Sequence, residues 1–324
     1  MPAISVQNLH KTYREGLLRR KEFTALRGIS FTVEQGEIFG LLGQNGAGKT
    51  TFIKILLGII RKSAGDATLL GFPAGDRRAR QRVGYLPENL RVPRHLTGYT
   101  ALEYYGQLSN LPISAVRHKR GEVLEKVGLV ERAKDPVRTY SKGMLQRLGL
   151  AQAMLHDPDI YIMDEPTDGL DPLARQQVRR TLADLKSQGK TIFLNSHILQ
   201  EVEMICDRVA ILDRGNLKFC GRVTELTTDR GAVDAATGNQ KLEVFWDLHG
   251  AENDIRSALA AFPTTHWQKD GETRWRVVSQ VAQAADIDQL TDELRARGIS
   301  IRGLAPRKAS LEEAYVEIVA EAVE

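Results

Sequence analysis

The sequence has 324 residues, of which 42% are hydrophobic and 27% charged, a composition typical of folded globular chains. The formal net charge of +4 comes from 45 basic and 41 acidic residues, so the excess is too small to predict a nucleic-acid partner. No apolar stretch approaches the roughly 20 residues that span a bilayer. The N-terminus lacks a secretion-signal pattern, and the two cysteines are not spaced as a metal site. We therefore expect a cytoplasmic chain that does not itself cross a membrane.

Residues 1–226 alternate strand-like apolar runs with amphipathic helical stretches, which predicts an α/β domain. The elements that frame its chemistry are, in chain order, a strand at residues 38–42, a helix at 50–60 and strands at 160–163 and 191–195. Residues from about 90 to 157 show mostly helical periodicity, broken by Pro112 and Pro136. We expect this stretch to form a helical subdomain.

A change in composition near residue 227 divides the chain. Residues 227–240 are small, polar and without periodicity, so we predict a linker there. Residues 241–324 then show the order strand, helix, hairpin, helix, strand, which predicts a small α+β domain of the ferredoxin-like β-α-β-β-α-β type. A last helix begins with the capping box Ser310-x-x-Glu313.

A glycine-rich segment follows the strand predicted at residues 38–42. It matches G-x-x-x-x-G-K-[ST] and consists of Gly43, Gln44, Asn45, Gly46, Ala47, Gly48, Lys49 and Thr50. The glycines let backbone N–H groups surround phosphate oxygens, and the helix N-terminus adds its positive dipole end. We predict a P-loop in which Lys49 reaches the β- and γ-phosphates, Thr50 binds Mg²⁺ and Thr51 also contacts the nucleotide.

Two adjacent carboxylates stand at the end of the strand predicted at residues 160–163. We predict that Asp164 holds Mg²⁺ through water. Since side chains alternate along an extended chain, Glu165 is predicted to point away from Asp164, where it can orient or deprotonate the attacking water. The Pro-Thr and Gly-Leu-Asp-Pro sequences within residues 166–172 distinguish this pair from an ordinary solvated acidic pair.

With these motifs, about the first 220 residues resemble the nucleotide-binding subunits of ATP-binding cassette (ABC) transporters. The most specific segment is Tyr140-Ser141-Lys142-Gly143-Met144, which is similar to the signature usually written LSGGQ. The resemblance implies that Ser141 and Gly143 donate hydrogen bonds to the γ-phosphate of ATP held by a second copy of the chain. Ser141 is also suited to cap a helix. Lys142 and Met144 depart from the pattern, and we expect them to tune activity rather than abolish it.

Four further residues take their roles from the same resemblance. His197 is similar to the switch histidine that senses the γ-phosphate, and we count it with Glu165 as catalytic. Tyr13 occupies the place of the aromatic that stacks on adenine, and Asp171 resembles the acidic residue that crosses the dimer interface. Glu88 stands where the family normally has a glutamine, and we expect its carboxylate to bind Mg²⁺ with altered coupling.

The resemblance implies an ATPase that works as a homodimer around two ATP molecules. Glu88, the YSKGM-type signature and the C-terminal extension look like the ABC-2 exporter subclass, whose membrane subunit is a separate six-helix chain. We therefore expect an integral membrane partner and a peripheral position on the cytoplasmic face of the cell membrane. A soluble ABC ATPase acting on ribosomes or nucleic acid is the alternative. The C-terminal domain either stabilises the dimer or senses a ligand, and the sequence does not identify the transported substrate.

Overall fold

The computed structural model describes residues 1–15, 21–227, 242–306 and 310–320. The chain divides into two compact units, one built on Met1–Val223 and the other on Thr224–Glu317. The linker predicted at residues 227–240 lies, except for its first residue, outside the described ranges. None of the helices within those ranges is long and apolar enough to span a bilayer.

The first unit combines two sheets with surrounding helices. Its strands are β1 (Ile4–Glu15), β2 (Lys21–Val33), β3 (Ile38–Leu42), β4 (Ala64–Leu69), β5 (Phe72–Pro73), β6 (Val83–Leu86), β7 (Ile160–Asp164), β8 (Thr191–Ser196), β9 (Arg208–Asp213) and β10 (Asn216–Arg222). Its helices are α1 (Lys49–Leu56), α2 (Arg77–Arg80), α3 (Gly98–Leu108), α4 (Ile113–Lys126), α5 (Lys142–Met154), α6 (Pro172–Ser187) and α7 (Leu199–Ile205), and α8 (Val223–Thr227) follows them.

The larger sheet positions the chemistry. Its strand order is β10-β9-β3-β8-β7-β6, in which β10 pairs antiparallel with β9 and the other neighbours pair parallel. Because parallel strands end at the same edge of a sheet, the segments that follow β3, β7 and β8 meet there. The predicted α/β fold is confirmed, and the three buried strands agree with their predicted ranges to within one residue.

A second, antiparallel sheet of order β2-β1-β4-β5 was not predicted from the sequence. Helix α1 connects it with the larger sheet through aromatic contacts. The ring of Phe52 lies 5.2 Å from that of Phe31 in β2 and 5.6 Å from that of Phe193 in β8, measured between ring centroids. All three rings are buried. This cluster fixes α1, which begins at Lys49, between the two sheets.

Helix α1 is shorter than the predicted range of 50–60, because Gly58 ends it. Gly58 adopts a φ of +71°. Its N–H donates to Ile55 at 3.0 Å, and the N–H of Ile59 donates to Lys54 at 2.8 Å. This pair of bonds is the Schellman arrangement that closes helices at a left-handed glycine.

The helical stretch predicted at about 90–157 contains α3, α4 and α5, which pack against one another. Thr97 begins α3 through a capping box with Thr100. Val116, Val123 and Leu124 make up the buried face of α4. The periodicity of this stretch therefore reflects helices that bury one face in a shared core.

The second unit has the ferredoxin-like order that the sequence predicted. It consists of β11 (Leu242–His249), α9 (Glu252–Ala258), β12 (Thr264–Lys269), β13 (Arg274–Val281), α10 (Ala284–Ala296) and β14 (Ser300–Pro306), followed by α11 (Leu311–Ala320). The strands form an antiparallel sheet of order β12-β13-β11-β14. In its core, the indole N–H of Trp246 donates to Ser279 at 2.8 Å. The capping box is present, with the N–H of Glu313 donating to Ser310 Oγ and the N–H of Ser310 to the Glu313 carboxylate, both at 3.2 Å.

Candidate active site

A cavity of about 250 Å³ lies where the segments that follow β3, β6, β7 and β8 meet. Most of its lining was predicted from the sequence: Gln44, Asn45, Gly46, Gly48, Lys49, Thr50, Thr51, Glu88, Asp164, Glu165 and His197. The structure adds Phe23, Ala25, Asp168 and Asn195, which the sequence reasoning missed. Asp168 and Asn195 could have been found, because each stands within three residues of a predicted site residue. Phe23 carries no local motif.

The glycine-rich segment forms the turn between β3 and α1, and two of its glycines are required by close backbone approaches. Gly43 and Gly48 adopt φ values of +156° and +109°. A Cβ at Gly43 would lie 2.4 Å from the carbonyl oxygen of Leu212, and one at Gly48 would lie 2.5 Å from that of Ala25. No side chain fits at these distances, so glycine is needed at both positions.

Lys49 is the cation of the cavity. Its side chain is buried, and its ammonium donates to the main-chain oxygens of Gly43 at 2.5 Å and Gln44 at 3.2 Å. Burial lowers the pKa of Lys49, and the nearby carboxylates of Glu165, Asp164 and Glu88 raise it again. A phosphate group entering the cavity would meet an ammonium whose present partners are neutral carbonyls, and charge-assisted hydrogen bonds to phosphate are stronger than these.

Asp164 and Asn195 form a buried polar pair at adjacent positions of β7 and β8. The amide nitrogen of Asn195 donates to Asp164 Oδ1. The amide oxygen of Asn195 is buried and has no hydrogen-bond partner among the described residues. Burial also raises the pKa of the Asp164 carboxyl. Carboxylate, amide and hydroxyl oxygens are the ligands that Mg²⁺ prefers, so this pair and Thr50 fit a hydrated magnesium ion.

Glu165 adopts a left-handed backbone conformation, with a φ of +53°. Glu165 therefore does not continue the strand, as the predicted alternation of side chains required, because β7 ends at Asp164 and the chain turns at the next residue. Both carboxylates line the same cavity. Glu165 Oε2 lies 2.8 Å from Nδ1 of His197 and accepts the main-chain N–H of His197 at 3.3 Å. Burial raises the pKa of Glu165, and the contacts with His197 partly offset the shift.

Asp168 connects His197 with the signature segment. Its Oδ1 lies 4.0 Å from Nε2 of His197, and its Oδ2 pairs with the Lys142 ammonium at 2.6 Å. The hydrogen bond from Lys142 lowers the pKa of the Asp168 carboxyl. Lys142, which departs from the LSGGQ pattern, therefore has a charge partner within its own chain.

Glu88 follows β6 and is exposed at the rim of the cavity. Its charge acts on the nearby Tyr85, whose pKa is raised to about 12 by burial first and by Asp164 and Glu88 in addition. Glu88 lines the same cavity as Lys49, and its role as a ligand of Mg²⁺ stays a prediction.

Tyr13, predicted to stack on adenine, stands beside the cavity rather than in its lining. Its hydroxyl lies 3.4 Å from Thr51 Oγ1, and the ammonium of Lys11 lies 4.8 Å from the centroid of its ring. In the β1–β2 register Tyr13 is opposite Phe23, which lines the cavity and is 61% exposed. Two aromatic side chains are thus available at this end of the site.

The other predicted residues outside the lining are Gly43, Ala47, Ser141, Gly143 and Asp171. Ser141 caps α5, with its Oγ accepting the N–H of Met144 at 3.2 Å. Asp171 caps α6 in the same way, accepting the N–H of Ala174 at 2.8 Å. The structure therefore brings the glycine-rich loop, the two carboxylates and His197 together, whereas Ser141 and Gly143 of the signature segment lie outside the lining.

Comparison with known proteins decides the family. Residues 26–168 match the family model described as ABC transporter. Over 314 residues the chain is 42% identical to an uncharacterised ABC transporter ATP-binding protein of Synechocystis sp., an alignment that covers 92% of this chain and 86% of the relative. The chain belongs to the ABC transporter ATP-binding proteins. It is accordingly an ATP-binding subunit and an ATPase.

Two further comparisons agree with this membership. The chain is 40% identical over 261 residues to the Nod factor export ATP-binding protein I of Ralstonia nicotianae, covering 80% of this chain and 77% of that protein. A solved structure of the ATP-binding subunit of an ABC transporter has a TM-score of 0.60 and 30% identity, covering 69% of this chain and 91% of that chain. The predicted ABC cassette fold is thereby confirmed.

Proposed function

We propose that this ABC subunit binds ATP with Mg²⁺ in the cavity described above, hydrolyses it with Glu165 as general base, and works as a homodimer that powers export through a separate membrane subunit. The observation that carries the proposal is the placement of the Glu165 carboxylate, held by His197, in the same cavity as Lys49. With this placement, Glu165 could activate the attacking water while Lys49 binds the phosphates of the same ATP molecule.

In this proposal Lys49 and the main-chain N–H groups of the glycine-rich loop bind the β- and γ-phosphates. Thr50, Asp164 and Glu88 supply oxygen ligands for the metal, directly or through water. The unpartnered amide oxygen of Asn195 supports a cation at this place, because a buried acceptor without a donor is costly unless something else satisfies it. Mg²⁺ bound here would neutralise part of the charge on the phosphates.

Glu165 would accept a proton from the water that attacks the γ-phosphorus. A carboxyl whose pKa is raised by burial holds that proton more readily than an exposed glutamate does. His197 orients the carboxylate through its ring Nδ1 and its main-chain N–H. The sensing role that the resemblance implies would use the other ring nitrogen, Nε2, as a donor to the γ-phosphate, in place of its 4.0 Å contact with Asp168.

A second copy of the chain would complete each site. Ser141, Gly143 and Asp171 are all outside the lining of the cavity in their own chain. Ser141 nevertheless begins a helix, and a helix N-terminus is a binding place for anions such as a γ-phosphate. We infer that these residues serve the partner protomer, so that two ATP molecules lie between two chains.

The membrane subunit would dock in a second cavity of about 710 Å³, between the β6 region and the helical subdomain. Tyr85, Arg77 and Arg80 line one side of it, and Leu108 and Leu111 line another. The side chain of Leu108 is 63% exposed beside this groove. Tyr85 lies three residues before Glu88, so a helix seated here would lie close to the nucleotide site. Such docking would place the chain on the cytoplasmic face of the membrane.

Co-expression with a six-helix membrane protein from a neighbouring gene tests the proposal. We expect the chain to sediment with membranes when that protein is present, and the ATPase rate to depend on the complex. Leu108→Glu should abolish sedimentation, whereas Met204→Glu, which changes another exposed apolar side chain on α7, should not. Circular dichroism would show that both variants are folded. Recovery with ribosomes or nucleic acid, and never with a membrane protein, would refute the transport function.

A further inference from the structure

We propose that Gln146 is a positioning residue for Glu165, through which the helix that begins at the signature segment controls the base in its own site. The inference rests on the proposed catalytic role of Glu165. Gln146 lies in the second turn of α5 and is buried. Its amide nitrogen donates to the main-chain oxygen of Glu165 at 3.2 Å. This contact joins the signature helix to the catalytic residue itself.

The backbone of Glu165 needs such support. A residue other than glycine at positive φ is held in a sparsely populated conformation that persists only when its surroundings fix it. The N–H of Glu165 donates to the main-chain oxygen of Asn195 at 2.9 Å, and its carbonyl accepts from the Gln146 amide and, at 3.3 Å, from the main-chain N–H of Asp168. Without Gln146 the carbonyl would keep only the longer bond from Asp168, and the peptide that follows Glu165 would be held less firmly. The carboxylate would then leave the position that His197 defines.

An ion pair is a second contact between α5 and the turn that follows β7. Lys142, at the start of α5, pairs with Asp168, and their side chains are 60% and 36% exposed. Exposed pairs are screened by solvent and salt and contribute little. The Gln146 amide is buried, and a displacement of α5 would reach Glu165 chiefly through it.

The consequence concerns communication between the two sites of the proposed dimer. Ser141 caps α5 and would contact the ATP of the partner protomer, whereas Glu165 acts on the ATP of its own chain. Gln146 is five residues from Ser141 on one rigid helix. Occupancy of one site would therefore be transmitted to the base of the other site by α5 and the Gln146 contact.

The test uses Gln146→Met in the intact chain, which keeps the length of the side chain and removes the donor. We expect kcat to fall on the order of 10-fold or more, because small displacements of a catalytic group are costly. KM should stay within about 2-fold, since the phosphate contacts are untouched. The matched control is Gln177→Met, whose amide donates to the main-chain oxygen of Lys126 at 3.1 Å, outside the cavity. That control should leave kcat unchanged.

A double substitution separates positioning from a general effect on the fold. In the Glu165→Gln background, Gln146→Met should cause no further loss of rate, because the base that it positions is already absent. An equal loss in both backgrounds, or no loss in either, would overturn the proposal. Should Gln146→Met fail to bind an ATP analogue, Gln146→Asn, which shortens the same amide, gives the same comparison. A fast Glu165→Gln enzyme would instead count against the proposed function.

Communication between sites has its own readout. The Hill coefficient for ATP hydrolysis is expected to exceed 1 in the wild-type chain and to approach 1 in Gln146→Met. Equal Hill coefficients in the two proteins would overturn the transmission part of the proposal.

Discussion

Replacing Glu165 with glutamine should separate ATP binding from ATP hydrolysis. The substitution preserves the size of the side chain and leaves an oxygen that can accept the main-chain N–H of His197, now at 3.3 Å. The main-chain contacts of residue 165 with Asn195 and Gln146 do not involve the side chain and remain. What is lost is the basic oxygen and one negative charge.

Loss of the basic oxygen should slow hydrolysis, whereas loss of the negative charge should favour ATP binding. Removing a positioned general base lowers the rate on the order of 10²–10⁴, or about 3–5 kcal/mol of activation free energy. Removing one of the three carboxylates that surround Lys49 reduces repulsion of the triphosphate. The affinity for Mg-ATP should therefore be equal to that of the wild type or higher, while turnover nearly stops.

Two measurements on the purified chain check this expectation. Equilibrium binding of a labelled ATP analogue and steady-state phosphate release give the affinity and the rate. Size-exclusion chromatography with saturating Mg-ATP should show the Glu165→Gln chain as a dimer, because hydrolysis no longer separates the protomers. The matched control is Glu37→Gln, a change of the same kind at the residue before β3, where the carboxylate pairs with Arg208 at 3.1 Å. It should leave the rate unchanged.

Two outcomes would refute different parts of the reasoning. Hydrolysis near the wild-type rate would remove Glu165 from the role of base. An inactive variant that stays monomeric in saturating Mg-ATP would leave that assignment standing and contradict the dimer with ATP at its interface.

Four further predictions follow from the geometry. Because burial raises the pKa of Glu165, kcat/KM should fall on acidification at a pH above the ordinary glutamate value of 4.5, and a profile that is flat to that pH would contradict the assignment. Phe23→Ala and Tyr13→Ala should each raise the Kd for ATP, since stacking on a nucleobase contributes roughly 1–3 kcal/mol. Unchanged affinity in both variants would show that adenine binds elsewhere. A chain ending at residue 226 should bind an ATP analogue as the full chain does, because every residue of the cavity lining precedes it; complete loss in a folded truncated chain would show that later residues complete the site. Ser279→Ala should destabilise the second unit by about 1–3 kcal/mol, because the buried indole N–H of Trp246 loses its acceptor. All three tryptophans lie in that unit, so their fluorescence reports its unfolding in the intact chain. An unfolding midpoint equal to that of the wild type would refute the expectation.

The sequence predicted the parts of the site that depend on local chemistry. A glycine-rich turn between a strand and a helix is encoded within eight residues, and the structure shows close approaches at Gly43 and Gly48 that only glycine allows. The strands β3, β7 and β8 are short and fully buried, which gives uninterrupted apolar runs. The sequence also encodes the end of α1, because Gly58 is a helix stop signal. The predicted range of 50–60 overlooked it.

The antiparallel sheet was not predicted because its pairing is irregular. The β1–β2 register shifts between Val6 and Leu9, between Leu9 and His10, and between Lys11 and Thr12. Each shift interrupts the alternation of apolar and polar residues on which strand prediction depends. Phe23 reaches the cavity only through this pairing, so no motif near it in the sequence could indicate its position.

The backbone conformation of Glu165 also could not be predicted from the sequence. Two of the contacts that hold this residue come from distant parts of the chain: Gln146, 19 residues away, binds its main-chain oxygen, and His197, 32 residues away, binds its carboxylate. Each of these partners also faces something else in the proposed mechanism: α5 faces the ATP of the partner protomer, and His197 faces the γ-phosphate. The proposed base is therefore held by the two elements that would respond to nucleotide. A base attached to a regular strand would be positioned by its own strand and would be insensitive to either. In the proposed mechanism, the left-handed turn at Glu165 would make the geometry of the base conditional on these contacts, which is the property that a transport ATPase needs if hydrolysis is to wait until both sites are filled.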